Sequence, residues 1–348
     1  MLLLSYPAPG GAAMAHDDDI RDQMRNARMA EELFQKHGIR TITGLDLAKK
    51  EFSPIKWAVN GLLPEGYGIL GGRPKIGKSW LAFDLALAVA YGGYAIGSDR
   101  YKAEAGTSLY LALEDNERRL QERQAILLNR NGQSNAPNRL HLTTDWKRLN
   151  DGGLEALEAW LSAHPDCRLV IIDTLARVKP RLKRGTDAYE HDMEIGGYLQ
   201  KIANKSNACI LAIHHTRKTK ADTGDFVDEL AGSTGITGAP DFVAQLSRGR
   251  REDTGVLEIT GKDLPEIELA LKFEGCLWTF LGEAAEVKLS GQRLKILKVL
   301  RQADRPLTPK QIAELAELGY DSCKHLISKL FSDGHIELDG YGKYKIKK

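Results

Sequence analysis

Gly72-Arg73-Pro74-Lys75-Ile76-Gly77-Lys78-Ser79 is the stretch that decides the fold. Its spacing, Gly-x-x-x-x-Gly-Lys-Ser, is the P-loop pattern, and the flanks supply the context that pattern needs. Tyr67-Gly68-Ile69-Leu70 ahead of it is a short apolar run that reads as a buried strand. Trp80 to Ala90 behind it reads as a helix with one polar position. A backbone that wraps phosphate oxygens with its N–H groups turned inward needs small residues. The start of the following helix aims its positive dipole end at the same anion. Residues Gly72 to Trp80 are therefore the expected nucleotide contact. Lys78 reaches the β- and γ-phosphates in this reading, and the Ser79 hydroxyl binds magnesium.

Outward from the loop, strands alternate with helices between about residues 67 and 281. Thr107 to Leu113, Arg168 to Ile172 and Ala208 to Ile213 are continuous apolar runs, and helices are expected over 118–129, 154–162 and 188–206. Unbroken apolar strands alternating with helices predict an α/β fold, a mostly parallel sheet covered on both faces. Four closely spaced strands, over 241–247, 255–260, 267–273 and 277–281, are expected to add an antiparallel edge. Residues 39–66 carry turn signals at Ser53-Pro54 and Leu63-Pro64-Glu65-Gly66 and read as irregular. Four regions follow: a disordered leader over 1–16 with Met14 as a second candidate start, a helical appendage over 17–50 whose helix stops at Gly38, a P-loop core over 51–285, and a small domain over 286–348.

The last region has a different grammar. A helix over 289–302 precedes a second that Thr308 caps with Pro309 at its first position. A third covers 321–330, and two short strands flank Asp339-Gly340-Tyr341-Gly342. That order reads as a winged helix. It holds 13 Lys/Arg against 8 Asp/Glu, whereas the whole chain of 348 residues is nearly balanced at 49 against 47. Any basic surface is therefore local. Four dispersed cysteines form no C-x-x-C, which fits a reducing cytoplasm and no structural zinc. No run approaches the roughly 18 apolar residues of a membrane span.

Hydrolysis needs a carboxylate for the metal and a group that orients water. Asp173 ends an apolar strand about 95 residues after the P-loop, the Walker B arrangement. Glu114 ends the strand that follows the P-loop helix and is preferred over Asp115 as the base; Asp115 or Asn116 suits a helix cap better. His214-His215 follow the strand over 208–213, where a neutral side chain could touch the γ-phosphate. The competing readings are a helix cap or a buried, hydrogen-bonded histidine.

Together these motifs resemble a family. The P-loop, Leu111-Ala112-Leu113-Glu114-Asp115, Leu169 to Arg177 and Ile213-His214-His215-Thr216-Arg217-Lys218 occur in the order seen in RepA-like ATPases of the RecA/DnaB superfamily, common on plasmids and phages. The resemblance covers about residues 50–281. It implies a RecA-like core, ATP and Mg2+ as cofactors, and a homo-oligomeric, hexameric ring with catalysis shared between subunits. It also implies Glu114 as the water-activating base, Asp173 as the magnesium residue and His215 as the sensor. A cation from the next subunit completes such sites. The family's Gly-Arg-Asp reads Gly261-Lys262-Asp263 here, so Lys262 is the first candidate, with Arg248 and Arg250 as rivals.

Two loops are expected to grip single-stranded DNA: one with Lys179, Arg181, Lys183 and Arg184, the other over 218–238. In the C-terminal region Lys324, His325 and Lys329 on the third helix and Lys343 and Lys345 on the wing are candidates for duplex DNA, with a replication protein as the other partner. The expected protein is a cytoplasmic, ATP-driven ring helicase of plasmid or phage replication. The alternatives are a non-unwinding recombination mediator or loader, and a nucleotide-gated regulator whose winged helix binds DNA.

Overall fold

The computed structural model describes residues 15–181, 187–216, 226–231, 238–249 and 252–347. It divides into two units, 1–54 and 55–348. The first holds α1 (Ala15–His37) and α2 (Gly44–Lys49). Helix α1 gives way to Gly38 at φ 69°. Thr43 caps α2 by accepting from the Asp46 N–H.

In the second unit β1 (Trp57–Val59) pairs antiparallel with β2 (Leu63–Pro64), where the sequence reading expected irregular chain. The ladder is two or three residues long and includes a proline, which donates nothing, so neither alternation nor propensity announces it. Then come β3 (Gly66–Gly71), α3 (Lys78–Tyr91), β4 (Thr107–Ala112), α4 (Glu117–Arg130), β5 (Leu140–Thr143) and α5 (Leu154–Ala163). These are followed by β6 (Cys167–Asp173), α6 (Leu175–Val178), α7 (Ala188–Ser206), β7 (Cys209–Ile213), α8 (Phe226–Ala231) and β8 (Phe242–Arg248). The chain continues through β9 (Thr254–Gly261), β10 (Ile267–Glu274) and β11 (Leu277–Glu283). Last are α9 (Ala284–Gln302), α10 (Pro309–Leu315), α11 (Tyr320–Ser332), β12 (Ile336–Leu338) and β13 (Tyr344–Ile346).

Nine strands form one sheet in the order β11-β10-β9-β8-β3-β7-β6-β4-β5. All pairings from β8 to β5 are parallel, and those from β8 to β11 are antiparallel. This corrects the expectation that all four late strands are antiparallel. The 28 residues between Ile213 and Phe242 are enough for a crossover, so β8 enters beside β3 in the same direction. The hairpin-length links begin only after β8. Strand β5 and the one-turn α6 are additions to the sequence reading.

Two apolar layers cover the sheet. Helix α3 is apolar nearly all round and buries Leu81, Phe83, Leu87 and Val89 on one face, as such a helix must. Helices α5 and α7 bury Leu157, Leu161, Leu199 and Ile202 on the other. A third cluster, from Ile296 and Leu300 of α9 to Leu326, Leu330 and Ile336, holds the C-terminal segment together. Helix α9 begins one residue after β11 and runs through residue 286 without a break. Thr308 and Gln311 form a full capping box at the start of α10.

The order around β3 decides where chemistry can happen. The chain leaves β3, skips two positions to β4, and returns to fill the gap with β6 and then β7. Ligands in open α/β sheets lie outside the carboxyl ends of the strands where the order reverses.

Candidate active site

Four neighbouring strands deliver their ends to that edge. The loop over 72–77 follows β3, His214-His215 follow β7, Asp173 ends β6, and Glu114 lies just beyond β4. Gly72 and Gly77 take φ values of 145° and 104°. A Cβ on Gly72 would stand 2.5 Å from the Leu246 carbonyl, so both the conformation and the space there require glycine.

Lys78 is 4% exposed and folds back onto its own loop. Its ammonium donates to the carbonyls of Gly72 at 2.5 Å and Arg73 at 2.9 Å, and to His215 Nδ1 at 3.1 Å. Burial lowers its pKa to about 8, against the opposing pull of Asp173 and Glu114. The other ring nitrogen of His215, Nε2, faces Glu114 Oε2 at 3.8 Å. Glu114 in turn lies 3.4 Å from Thr174 Oγ1 and 3.5 Å from Arg177 Nε. Lys78, His215 and Glu114 thus stand side by side across the ends of β3, β7 and β4.

Asp173 is buried, and burial raises its pKa; hydrogen bonds from Tyr110 and Ser79 oppose the rise. The Tyr110 hydroxyl donates to Asp173 Oδ2 at 2.7 Å, and burial together with that carboxylate holds the phenol protonated. Asp115 is taken up by Arg119 at 2.7 Å and Arg123 at 2.5 Å, while Asn116 caps α4. Only Glu114 of the two acids therefore faces His215. Burial pushes His214 down to about 4, with Lys179 and His215 adding to the fall.

The described residues fit a magnesium nucleotide. A magnesium ion held by one or two protein oxygens and the substrate's phosphates needs no cage of protein ligands. The Ser79 hydroxyl and the Asp173 carboxylate would supply such a pair, and the serine lies close enough to lower the pKa of that carboxylate. No group of three or more histidines, cysteines or carboxylates placed to hold a metal occurs among the described residues. A cavity of about 760 Å³ opens beside the loop, lined by Gly72, Arg73, Gln245, Glu258 and the first turn of α9.

Other expected residues are placed differently. Arg73, Pro74 and Lys75 are exposed, Ile76 is buried, and half-buried Trp80 lies under the Arg123 guanidinium at 5.2 Å. Lys262 stands at the opposite edge of the sheet, since Gly261 pairs with Phe242 at the start of β8; it contacts Asp241 at 2.9 Å. Arg248 lies over the rings of Phe273 and Trp278 at 4.4 and 5.5 Å. Lys179, expected to face DNA, turns inward onto the buried Asp192 of α7. Arg181, Lys324, Lys329 and Lys343 are exposed. Lys183, Arg184 and Arg250 lie outside the described residues, as does most of the second basic loop.

The sequence reading missed Tyr110, Thr174 and Arg177, which contact Asp173 and Glu114. Tyr110 carries a signal: a tyrosine inside an apolar strand must find a partner for its hydroxyl.

The family model described as AAA domain matches residues 39–221, more than half of the chain. The chain belongs to the AAA-domain family. As a P-loop ATPase domain, it binds a nucleoside triphosphate. Among solved structures, one described as a DnaB-like replicative helicase and its interactions with primase is 12% identical, covering 76% of this chain and 74% of that one, with a TM-score of 0.50. That likeness shows the RecA-like fold. The RadB recombinase is 14% identical over 64% of this chain and 93% of its own, with a TM-score of 0.45. No curated protein matches the chain. Among the described residues of this AAA-domain ATPase, no helix is long and apolar enough to cross a membrane.

Proposed function

We propose that this protein is an ATP-hydrolysing ring helicase of the RepA-like type, translocating on single-stranded DNA in plasmid or phage replication. The observation that carries the reading is the convergence of Lys78, the Ser79–Asp173 pair, Glu114 and His215 on one sheet edge. The fold shared with a DnaB-like replicative helicase supports it.

In this reading Lys78 exchanges the carbonyls of Gly72 and Arg73 for the β- and γ-phosphates, and the loop N–H groups hold the rest of the chain of phosphates. Leaving its resting place, Lys78 also releases His215 Nδ1, so the sensor registers the phosphate through the lysine it was bonded to. Held by Ser79 and Asp173, Mg2+ would neutralise charge on the phosphate oxygens. Tyr110 keeps the Asp173 carboxylate oriented. Glu114 takes the proton of the attacking water, with Thr174 and Arg177 fixing its carboxylate. Lys262 is too far from its own P-loop, at the other edge, and so acts on the site of a second copy; Arg250 remains its rival.

Arg181, with Lys183 and Arg184, contacts the single strand, while Lys179 anchors the start of that segment through Asp192. Residues 286–348 act as a winged helix that recruits the ring to duplex DNA or to a replication protein through Lys324, Lys329 and Lys343.

Native mass measurement with and without Mg-ATP and single-stranded DNA tests the assembly, and forked-duplex unwinding compared with Lys78→Ala tests the motor. A hexamer that separates strands only with intact Lys78 is expected. Hydrolysis without strand separation would instead identify an ATPase that loads on DNA.

A further inference from the structure

We propose that Trp278 is a positioning residue of the phosphate loop: it fixes Gly77, and through it the N-terminus of α3. The inference rests on the reading of residues 72–79 as the nucleotide site. Trp278 belongs to no motif and lies 201 residues beyond Gly77, yet it is the largest fully buried side chain among the described residues, at 0% exposure. Its indole Nε1–H donates to the Gly77 carbonyl at 3.0 Å. The same oxygen accepts from Leu81 N at 3.1 Å, the first rung of α3. A carbonyl has two lone pairs, and here one goes to the helix and the other to the indole.

The consequence for the loop follows from peptide geometry. The carbonyl of Gly77 and the N–H of Lys78 share one plane and point in opposite directions. Holding the carbonyl toward Trp278 therefore aims the Lys78 N–H to the other side. That N–H is one of the donors a helix start leaves free for an anion.

The indole is itself tightly held. Phe273 packs on it across the β10–β11 pair at 4.8 Å between centroids, and Arg248 of β8 lies over both rings. Gly255 of β9 makes the space: a Cβ there would come within 3.0 Å of the indole Cη2. A Cβ on Gly77 would come within 2.9 Å of Nε1, so indole and loop are in direct contact. Three neighbouring strands thus converge on a β11 ring whose only polar atom is bonded to the loop. Arg248, a candidate for another subunit's site in the sequence reading, is occupied in this cluster.

Trp278→Phe keeps the ring packing and removes the donor, while the Gly77 oxygen keeps its bond to Leu81. The apparent KM for ATP is expected to rise about fivefold, the factor corresponding to one neutral hydrogen bond, with kcat within about twofold. An unchanged KM in a folded variant overturns the proposal. The second measurement uses the wild-type chain labelled with 5-fluorotryptophan, followed by fluorine NMR as Mg-ADP is added. Of the five tryptophan signals, that of Trp278 is assigned by its loss in Trp278→Phe. Should that variant not fold, single Phe replacements of Trp57, Trp80, Trp146 and Trp160 assign it by elimination. A shift of the Trp278 signal at saturating Mg-ADP is expected, and a signal that stays in place overturns the proposal. Wild-type protein that neither binds Mg-ADP nor hydrolyses ATP would sink the nucleotide-site reading itself, a different result from a silent Trp278.

Discussion

Two sets of lysines in this molecule stand in opposite conditions. Lys78 and Lys179, at the carboxyl edge of the parallel strands, are drawn into the chain and bonded to their own neighbours. Lys324, Lys329 and Lys343, in the C-terminal segment, stand in solvent. A buried cation has partners that can be left stranded, so its removal is read as lost rate or lost stability. A solvated cation is valued only by what it meets, so its removal is read in the salt dependence of a complex. The contrast sets how far each reading reaches.

The largest expected effects break the buried set. Lys78→Ala is expected to lower kcat for ATP hydrolysis by about a hundredfold or more, since in the proposed mechanism it removes the charge that meets the transferring phosphate. Glu114→Gln is expected to cost about the same in kcat while leaving nucleotide affinity within a few-fold, because a base acts only on the water's proton. Phosphate release and calorimetric binding of Mg-ADP measure both. Equal loss of affinity in Glu114→Gln would remove it from the base's role.

Next comes Lys179. Its side chain is 23% exposed and that of Asp192 is 1% exposed. Lys179→Ala leaves a buried carboxylate without its main partner and is expected to cost about 3 kcal/mol of stability, seen in a lowered urea midpoint. Arg181→Ala, at an exposed position two residues on, is expected to leave the midpoint unchanged and to weaken single-stranded DNA binding instead. A Lys179 variant of normal stability would return that residue to the solvated set.

A pH experiment sharpens the case for Lys78. In the nucleotide-free chain its pKa is about 8, below the ordinary lysine value because the ammonium is buried. The unfolded chain keeps that proton to about pH 10.4, so between these values the unfolded state binds more protons and the group's contribution to stability rises with pH. A polyphosphate favours the ammonium. Mg-ADP binding is therefore expected to take up a proton above about pH 8 and to weaken as pH rises, with no such uptake below about pH 7. Calorimetry in two buffers of different ionisation heat measures the uptake. No difference between the buffers at about pH 9, roughly one unit above that pKa, would mean that Lys78 meets no phosphate.

The same contrast explains what could be read from the sequence. The convergence of Lys78, Glu114, Asp173 and His215 was legible because each is tied to the end of an apolar strand, and the order of strands brings those ends together. Asp173 and His215 follow continuous runs, and the P-loop carries its own spacing. Tyr110 and Trp278 were not legible as site residues. Their roles come from a register between strands and from a contact over 201 residues, neither of which leaves a local trace. Strand β8 was misread for the same reason: direction is set by the crossover, while spacing along the chain resembles that of the hairpins after it. The inward turn of Lys179 was hidden because Asp192 lies on another element, and charge alone cannot tell a solvated loop from a paired one.

The smallest expected effects belong to the solvated set, where one residue provides an internal control. Lys324 and Lys329 lie on the exposed face of α11, whose other face buries Cys323, Leu326, Ile327 and Leu330. Lys345, also exposed, is engaged by Asp339 at 2.7 Å and Glu337 at 3.5 Å. A lysine already neutralised by two carboxylates releases few counterions when a phosphate approaches. Lys324→Ala and Lys329→Ala are each expected to weaken duplex binding a few-fold and to reduce the log–log salt slope by about one. Lys345→Ala is expected to change the slope by much less, although it removes the same charge. Filter binding of the full chain to a short duplex at several salt concentrations distinguishes them. If all three variants change the slope equally, net charge alone governs binding and the α11 face has no privileged part; if none does, the segment meets a protein rather than DNA.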